Sequence, residues 1–483
     1  MPNKIKKICC IGAGYVGGPT MAVIANKCPH IDVNVVDINE KRIKEWNNND
    51  LSKLPIFEPG LKEIIKLCRG KNLHFSSDIK KHIEIADMIF ISVNTPTKKT
   101  GIGAGQASDL KWVESSTRQI SKYAKGNTIV VEKSTLPVKT AQTIKSILEE
   151  KIKESGNNKS FQNFSVLSNP EFMSEGNAIN DLENPDRVLI GGEDQNAIRN
   201  LKEIYLNWVE KEKILTTDLW SSELSKLIAN AFLAQRISSI NSMTALCEKT
   251  GADIKNVSLA IGADKRIGQY FLNSGPGFGG SCFKKDILNL VYICNHYGLP
   301  QVANYWQKVI EINNWQQKRI SNIVVNKLFG TVSEKKIAIL GFSFKSNTND
   351  TRESPAISIC RDLIEEGSNI YIYDPKVTKS QIESEMDNSD NQKEKVHKFT
   401  GSWQYAFSIN EAVKNADAIV LLTEWEEFQS LNYKNIFNLM RSPSWIFDTR
   451  GILDPLEIES FGFKFWRIGL GTDSCKERNT NLS

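Results

Sequence analysis

The sequence predicts an α/β chain in which two Rossmann-like, doubly wound parallel sheets are joined by a central region built on one long helix. Three observations predict it. Near the start, the buried-strand pattern Lys4–Ile11 runs into Gly12-Ala13-Gly14-Tyr15-Val16-Gly17 and an apolar helix, with Asp37 ending the next strand. Past the middle, Ile337–Gly341, a helix over Pro355–Glu366 and Ile370–Asp374 repeat that order as a worn copy. Between them, from Leu219 to Lys249, the apolar period changes to 3.6 with neither proline nor glycine, which marks a long helix. The expected domains are a dinucleotide-binding domain over 1–217, a central helical domain over 218–330 and a second sheet domain over 331–483.

Composition bounds the function classes. A chain of 483 residues is too long for one core and implies about two to four domains. Forty per cent hydrophobic and 24% charged residues are ordinary for a soluble globular protein. The net charge of +5 is spread out, and the Lys4, Lys6 and Lys7 stretch lacks interleaved aromatics, so no nucleic-acid partner is expected. No apolar run reaches the roughly 18 residues of a membrane span. The first residues run straight into a strand and a glycine loop rather than a leader-like pattern. Nine cysteines at irregular spacing argue against a disulfide framework and for a cytosolic setting.

Taken in order, the first glycine loop has a physical reason at each position. Gly12 permits the tight turn, Gly14 admits a pyrophosphate and Gly17 allows close packing of helix on strand. The pyrophosphate then rests on the helix N-terminus. Asp37 lies 37 − 12 = 25 positions beyond Gly12, close to the spacing of dinucleotide-binding units. It can accept from both ribose hydroxyls and would repel a 2′-phosphate, which favours NAD over NADP. Three further strands, over Ala86–Val93, Thr128–Val131 and Phe164–Leu167, end in Asn94-Thr95-Pro96-Thr97, Glu132-Lys133-Ser134-Thr135 and Ser168-Asn169-Pro170-Glu171. Ligands of such sheets bind off the carboxyl ends of strands, so these polar turns are expected to converge. Asp186–Gly192 is the next strand.

On the long helix, Trp220, Leu224, Leu227, Ile228, Ala231, Phe232, Ile240 and Met243 read as an apolar stripe. Lys226 and Asn230, four residues apart, share a face beside it. Then comes Gly275-Pro276-Gly277-Phe278-Gly279-Gly280-Ser281-Cys282-Phe283-Lys284-Lys285-Asp286. Its glycines let backbone pass close to a ligand. Cys282 stands at the mouth of a helix, whose N-terminal partial charge favours a thiolate, with Lys284 and Lys285 adding positive charge. A zinc site is disfavoured because Cys282 has no Cys or His partner at ligand spacing. Helical runs over Lys285–Tyr297 and Ala303–Leu328 follow.

In the second sheet domain, the loop from Phe344 to Ser354 is too long to cradle a pyrophosphate, but Lys345 and Arg352 could reach a phosphate. Further strands are expected at Ala418–Leu422 and Trp445–Phe447, the last leading to Asp448-Thr449-Arg450. Ser384–Lys395 reads as an exposed insertion, and the tail beyond about Gly471 as disordered.

These stretches resemble the UDP-glucose 6-dehydrogenase family. The resemblance is carried by G-A-G-Y-V-G, V-N-T-P-T, E-K-S-T-L-P-V, S-N-P-E-F, E-L-S-K-L-I-A-N-A-F, G-F-G-G-S-C-F-K-K-D and G-F-S-F-K-S-N-T-N-D-T-R-E-S. They run in order from Lys4 to about Arg450. The broader group, with GDP-mannose and UDP-N-acetylhexosamine dehydrogenases, supplies the alternative substrates, and an NAD-binding scaffold without turnover is the alternative of another class. The resemblance implies that Cys282 is the nucleophile and that Lys226 and Asp286 polarise the substrate oxygen and the hydrolytic water. It gives Glu171 and Thr135 the holding of that water and Asn230 the role of oxyanion donor. NAD contacts fall on Gly12, Gly14, Tyr15, Val16, Gly17, Asp37, Arg42, Val93, Thr95, Thr97, Ser134, Thr135, Glu175 and Arg352. Substrate contacts fall on Glu171, Phe172, Lys226, Asn230, Arg266, Phe271, Phe278, Gly279, Phe344, Lys345 and Arg450. Arg266 is expected to reach a neighbouring subunit's site, which implies a homo-oligomer, a dimer or a hexamer of dimers. Gly451 departs from the Asn or Arg that many members carry after the last arginine.

The chemistry suits these residue types. Taking an alcohol to an acid with NAD needs two hydride transfers, and an aldehyde carbon carries no oxyanion to expel the second. A thiolate solves this by adding to the carbonyl; the resulting oxyanion expels hydride and leaves a thioester for water to cleave. A 2-hydroxyacid-type or 6-phosphogluconate-type dehydrogenase would use one hydride step and need no cysteine.

Overall fold

The computed structural model describes residues 4–135, 137–154, 163–387 and 401–471. It divides into two compact units, Met1–Ala229 with Leu288–Leu299, and Asn230–Ile287 with Pro300–Ser483.

The first unit is built on β1 (Lys7–Ile11), β2 (Asp32–Val36), β3 (Leu73–Ser76), β4 (Met88–Ile91), β5 (Asn127–Glu132), β6 (Asn163–Ser168), β7 (Val188–Gly192) and β8 (Ile214–Thr217). They form one sheet in the order β3-β2-β1-β4-β5-β6-β7-β8. The order reverses between β1 and β4, the switch point where doubly wound sheets bind dinucleotides. Strand β1 shows why the sheet forms. Ile8 and Cys10 enter one core layer with Met21 and Ile24 of the helix Gly17–Lys27. Cys9 and Ile11 enter the opposite layer with Val113, Ile120 and Ile144. A strand buried on both faces reads as a continuous apolar run, as parallel sheets require. The expectation of a wholly parallel sheet needs correction at one place, because β7 pairs antiparallel to β6. The chain between them, residues 169–187, holds the helix Ala178–Glu183.

The second unit holds β9 (Lys336–Leu340), β10 (Asn369–Tyr373), β11 (Ser402–Tyr405), β12 (Ala418–Leu421), β13 (Trp445–Asp448) and β14 (Lys464–Arg467). Their order, β11-β10-β9-β12-β13-β14, repeats that of the first six strands, and every pairing is parallel. Ile337 and Ile339 pack into one layer and Ala338 and Leu340 into the other.

The long helix is Leu219–Thr250, followed by Phe283–His296 and Pro300–Lys327. Its apolar stripe is the main correction to the sequence reading. Leu227, Ala231 and Ile240 are buried, but Trp220, Ile228, Phe232 and Met243 are exposed, Phe232 by 55%. About half of the buried positions are polar: Ser222, Glu223, Lys226, Asn230, Ser238, Asn241 and Thr244. Hydrogen bonding as well as apolar packing sets which face of this helix is inside. The stretch expected as an insertion begins inside a helix, Lys379–Asp387; the rest of it, and the tail beyond Gly471, lie outside the described residues. None of the described helices is long and apolar enough to cross a membrane.

Candidate active site

In the first unit, β1 delivers Gly12 to the switch point. Its N–H donates to Val36 O at 2.7 Å. At φ +111° a Cβ there would lie 2.1 Å from Ser92 O, so glycine alone fits. A Cβ at Gly14 would meet nothing within 4 Å, which leaves open the face a pyrophosphate would approach. Asp37, ending the second strand's run, is buried. Its Oδ2 accepts from Ala13 N at 2.9 Å and Arg42 Nη1 at 3.2 Å, and its Oδ1 from Asn39 N at 2.8 Å. Trp46, unflagged by sequence reasoning, donates Nε1–H to Ala13 O at 2.9 Å and stacks on Phe75 at 4.6 Å. These residues fit a dinucleotide.

The expected convergence of strand ends occurs for all three turns, the third joining the second through Asn169 N–H to Glu132 O at 2.8 Å and Lys133 Nζ to Asn169 Oδ1 at 3.1 Å. Ser134 Oγ–H donates to Val93 O at 2.8 Å, and Thr95 Oγ1–H to Thr135 O at 3.0 Å. After β6, Glu171 turns its carboxylate back on its own loop, accepting from Phe172 N at 2.8 Å and Met173 N at 3.1 Å through Oε1. Its Oε2 pairs with Lys133 Nζ at 2.8 Å. Phe172 lies between two cations, the Arg187 guanidinium at 3.9 Å and Lys226 Nζ at 5.2 Å from its ring centroid. Glu175 neighbours Gly176, whose N–H donates to the buried Glu58 at 2.7 Å. Lys133, Arg187 and Glu58 were missed because a charged residue in a loop or beside a strand reads as solvated until its contacts are seen.

In the second unit, Cys282 immediately precedes the helix Phe283–His296, and its carbonyl accepts from Asp286 N at 2.8 Å. It therefore caps that helix, as its place before the apolar run predicts. Among the eight described cysteines it alone is not buried. Burial pushes the Cys9 thiol up to about 12 and the Cys28 thiol up to about 11, which removes them as nucleophiles near neutral pH. Ser281 Oγ lies 3.5 Å from Cys282 Sγ. Asp286, one turn on, is buried and accepts from Asn230 Nδ2 at 2.6 Å. The expected positive charge of the flanking lysines is largely neutralised. Lys284 Nζ pairs with Glu353 at 2.7 Å, and Lys285 Nζ lies 3.9 Å from Asp286 Oδ1.

The glycine–cysteine loop is shaped by buried amides. Asn241 Oδ1 accepts from Gly275 N at 2.9 Å, Gln316 Nε2 donates to Gly275 O at 3.1 Å, and Asn313 bonds both the N–H and C=O of Phe278, at 2.8 and 3.1 Å. Against this loop lies the segment after β9. A Cβ on Gly279 would sit 2.5 Å from Glu353 O and 2.8 Å from Phe344 Cβ, and Gly280 N donates to Arg352 O at 2.8 Å. Phe283 meets Phe278 and Phe271 edge-on at centroid distances of 5.8 and 6.3 Å. Arg450 braces the same segment, donating to Phe344 O at 3.0 Å and Leu422 O at 2.8 Å and pairing with Glu424 at 3.1 Å.

Three sequence candidates stand differently. Arg352 is held by the Asp350 carboxylate through Nε and Nη2. Lys345 Nζ lies 5.6 Å from the Phe344 ring centroid. Arg266 extends from the surface, 89% exposed in its side chain, paired with Asp264 at 2.7 Å. Asp374, the second sheet's counterpart of Asp37, accepts from Phe342, Ser343, Lys376 and Val377 N–H groups and from Trp425 Nε1. That carboxylate is occupied in shaping its own turn, so the worn copy does not reproduce the ribose contact.

Comparison with known proteins follows this geometry. Three family models match in order: "UDP-glucose/GDP-mannose dehydrogenase family, NAD binding domain" over residues 6–209, the central domain over 220–315 and the UDP binding domain over 338–455. UDP-glucose 6-dehydrogenase of Caenorhabditis elegans is 55% identical over 98% of this chain and 97% of its own. UDP-glucose 6-dehydrogenase 1 of Glycine max is 54% identical over 97% of this chain and 98% of its own. Among solved structures, a UDP-glucose dehydrogenase from the archaeon Pyrobaculum islandicum matches with a TM-score of 0.80 at 26% identity, covering 98% of this chain and 100% of that one.

Proposed function

The chain belongs to the UDP-glucose/GDP-mannose dehydrogenase family, and from that premise we propose that it is an NAD-dependent oxidoreductase taking the C6 alcohol of UDP-glucose to the acid of UDP-glucuronate. The observation that carries this reading is Cys282, the accessible thiol at a helix N-terminus, one turn from a buried carboxylate that a side-chain amide orients. A single-step dehydrogenase has no use for that arrangement.

NAD, when bound, accepts one hydride in each of the two oxidations. Asp286, oriented by Asn230, takes the C6 hydroxyl proton as the aldehyde forms. Cys282 sulfur adds to the aldehyde carbon, and the thiohemiacetal oxygen gives up its proton before hydride leaves. Lys226 and Asn230 stabilise the oxyanion at both stages; one fixed donor of this kind is worth about 3 kcal/mol. The product of the second oxidation is a thioester on Cys282, and Glu171 with Thr135 holds the water that cleaves it. Phe172, Phe278, Gly279 and Phe271 line the sugar nucleotide, with Phe344, Lys345 and Arg450 toward its uridine diphosphate end. Gly12 to Gly17, Asp37, Arg42, Val93 to Thr97, Ser134, Glu175 and Arg352 serve the cofactor.

The functional division is dinucleotide binding over 1–217, a central helical region over 218–330 and nucleotide-sugar binding over 331–483. The enzyme is a homo-oligomer in which Arg266 acts across a subunit boundary; its side chain reaches into solvent, and Trp220 and Phe232 are exposed apolar residues of the long helix. A cytoplasmic location accords with eight free cysteines among the described residues.

Two NADH per UDP-glucose consumed, with UDP-glucuronate as product and slower turnover on GDP-mannose and UDP-N-acetylhexosamines, is the expected result. Cys282→Ser is expected to abolish acid release. One NADH per sugar, or undiminished acid release by that variant, would overturn the mechanism.

A further inference from the structure

Lys133 follows β5 directly, and the sequence alone assigns it no role of its own. Its ammonium is buried, with the side chain 3% exposed. A lysine ammonium has three N–H donors, and here three acceptors surround it: Glu171 Oε2 at 2.8 Å, Asn169 Oδ1 at 3.1 Å and Tyr205 Oη at 3.3 Å. The two neutral acceptors are themselves fixed. Tyr205, the last residue of the helix Gln195–Tyr205, donates its hydroxyl to Asn169 Oδ1 at 2.6 Å. Asn169 donates Nδ2–H to Leu189 O at 2.8 Å and its backbone N–H to Glu132 O at 2.8 Å. Burial pulls the Lys133 ammonium toward neutrality, but the charge of Glu171 and the contact with Tyr205 outweigh it and raise its pKa. The cation therefore persists inside the unit.

The other end of this network is the carboxylate of Glu171. Its Oε1 is held by two backbone N–H groups and its Oε2 by Lys133. Two N–H bonds at Oε1 and the ammonium charge at Oε2 thus fix the orientation of the carboxylate. A carboxylate that only balanced a buried lysine would not need its second oxygen gripped by its own loop.

We propose that Lys133 is a positioning residue for the hydrolytic step, its ammonium anchored by Asn169 and Tyr205 so that Glu171 presents one fixed acceptor direction to the attacking water. This rests on the reading of Glu171 as the group that holds that water. In the step, the water oxygen bonds to the thioester carbonyl carbon and one water proton passes to Glu171. The C–S bond breaks with its electron pair staying on Cys282 sulfur as thiolate, and the new carboxylic acid loses its proton to solvent. No oxidant enters.

The test separates hydrolysis from the hydride steps in the full-length enzyme with UDP-glucose and NAD. Lys133→Met is expected to give a burst of NADH, then a steady rate lower by about a hundredfold, the scale of a misplaced catalytic group. Mass spectrometry of the quenched burst should find the sugar acyl group on Cys282, with KM for UDP-glucose little changed. Tyr205→Phe, which removes only the hydroxyl, should accumulate the same adduct to a smaller extent and covers the case in which Lys133→Met does not fold. Glu171→Gln is run beside them. If it accumulates the adduct while Lys133→Met and Tyr205→Phe turn over or slow without one, the role of Lys133 is overturned and that of Glu171 stands. If Glu171→Gln itself releases acid with no adduct, the reading of Glu171 fails and this inference falls with it.

Discussion

The Asn230 side-chain amide donates to the Asp286 carboxylate at 2.6 Å, across 56 positions of sequence, with both residues buried. An amide offers two N–H donors, so one Asn230 side chain can orient the carboxylate and still serve an oxyanion. Replacing it by alanine leaves a buried carboxylate short of a donor, at a stability cost of about 1–3 kcal/mol. Asn230→Ala should also lower kcat by about 10²–10³, the scale of a lost oxyanion donor, with the KM for NAD little moved. Steady-state kinetics on the folded variant checks this; an unchanged kcat would remove Asn230 from the chemistry.

Much of this was legible in the sequence, and the part that was not shares a physical cause. The ten strands expected from apolar runs are present, and the four that were missed, β3, β8, β11 and β14, are the four sheet edges. An edge strand is half exposed, as the alternating burial of Leu73–Ser76 shows, so its pattern carries a weaker apolar signal. Cys282 was legible because glycines, cysteine and helix start are contiguous. Asn313, Gln316 and Asn241 were not, because the loop they hold lies far from them in the chain. The stripe on the helix Leu219–Thr250 misled for another reason: its inward face also carries polar residues hydrogen-bonded to distant partners, which periodicity does not register.

Asp37 sets the nucleotide preference through its charge. Its oxygens already accept from Ala13, Asn39 and Arg42, so the carboxylate is fixed where a 2′-phosphate would meet it. Asp37→Asn removes the repulsion while keeping the shape. The ratio of kcat/KM for NADP over NAD should rise by about tenfold or more, which is about 1.4 kcal/mol. Parallel titrations of the two cofactors measure it, and an unchanged ratio would mean that another residue excludes the phosphate.

Asn313 is the clamp of the glycine–cysteine loop. It sits buried on the helix Pro300–Lys327 and satisfies both backbone groups of Phe278. Asn313→Leu keeps the volume but leaves a buried N–H and C=O unmet, at about 1–3 kcal/mol each. The variant should melt earlier, lose hydrogen-exchange protection over residues 275–283 and lose kcat. Exchange that stays native across that loop would show that the remaining amides suffice.

Glu132, at the end of β5, and Glu223, on the helix Leu219–Thr250, are two buried acids facing each other. Burial first, then the charge and hydrogen bond of Glu223, push the Glu132 carboxyl well above the usual carboxylate range. Burial raises Glu223 too, although its oxygens accept from Ala141 N and Lys139 N, both at 2.7 Å. The sign follows from proton counting. The unfolded carboxyl titrates near pH 4.3, so between that pH and the raised folded value the native state holds more protons than the unfolded state. Stability therefore falls as pH rises through this window. Glu132→Gln supplies a permanent N–H donor to Glu223 and carries no proton to lose. The Tm of the variant minus that of the wild type should grow between about pH 5 and pH 8, read by thermal melts across that range. A difference that stays constant with pH would mean that no shared proton joins these two side chains.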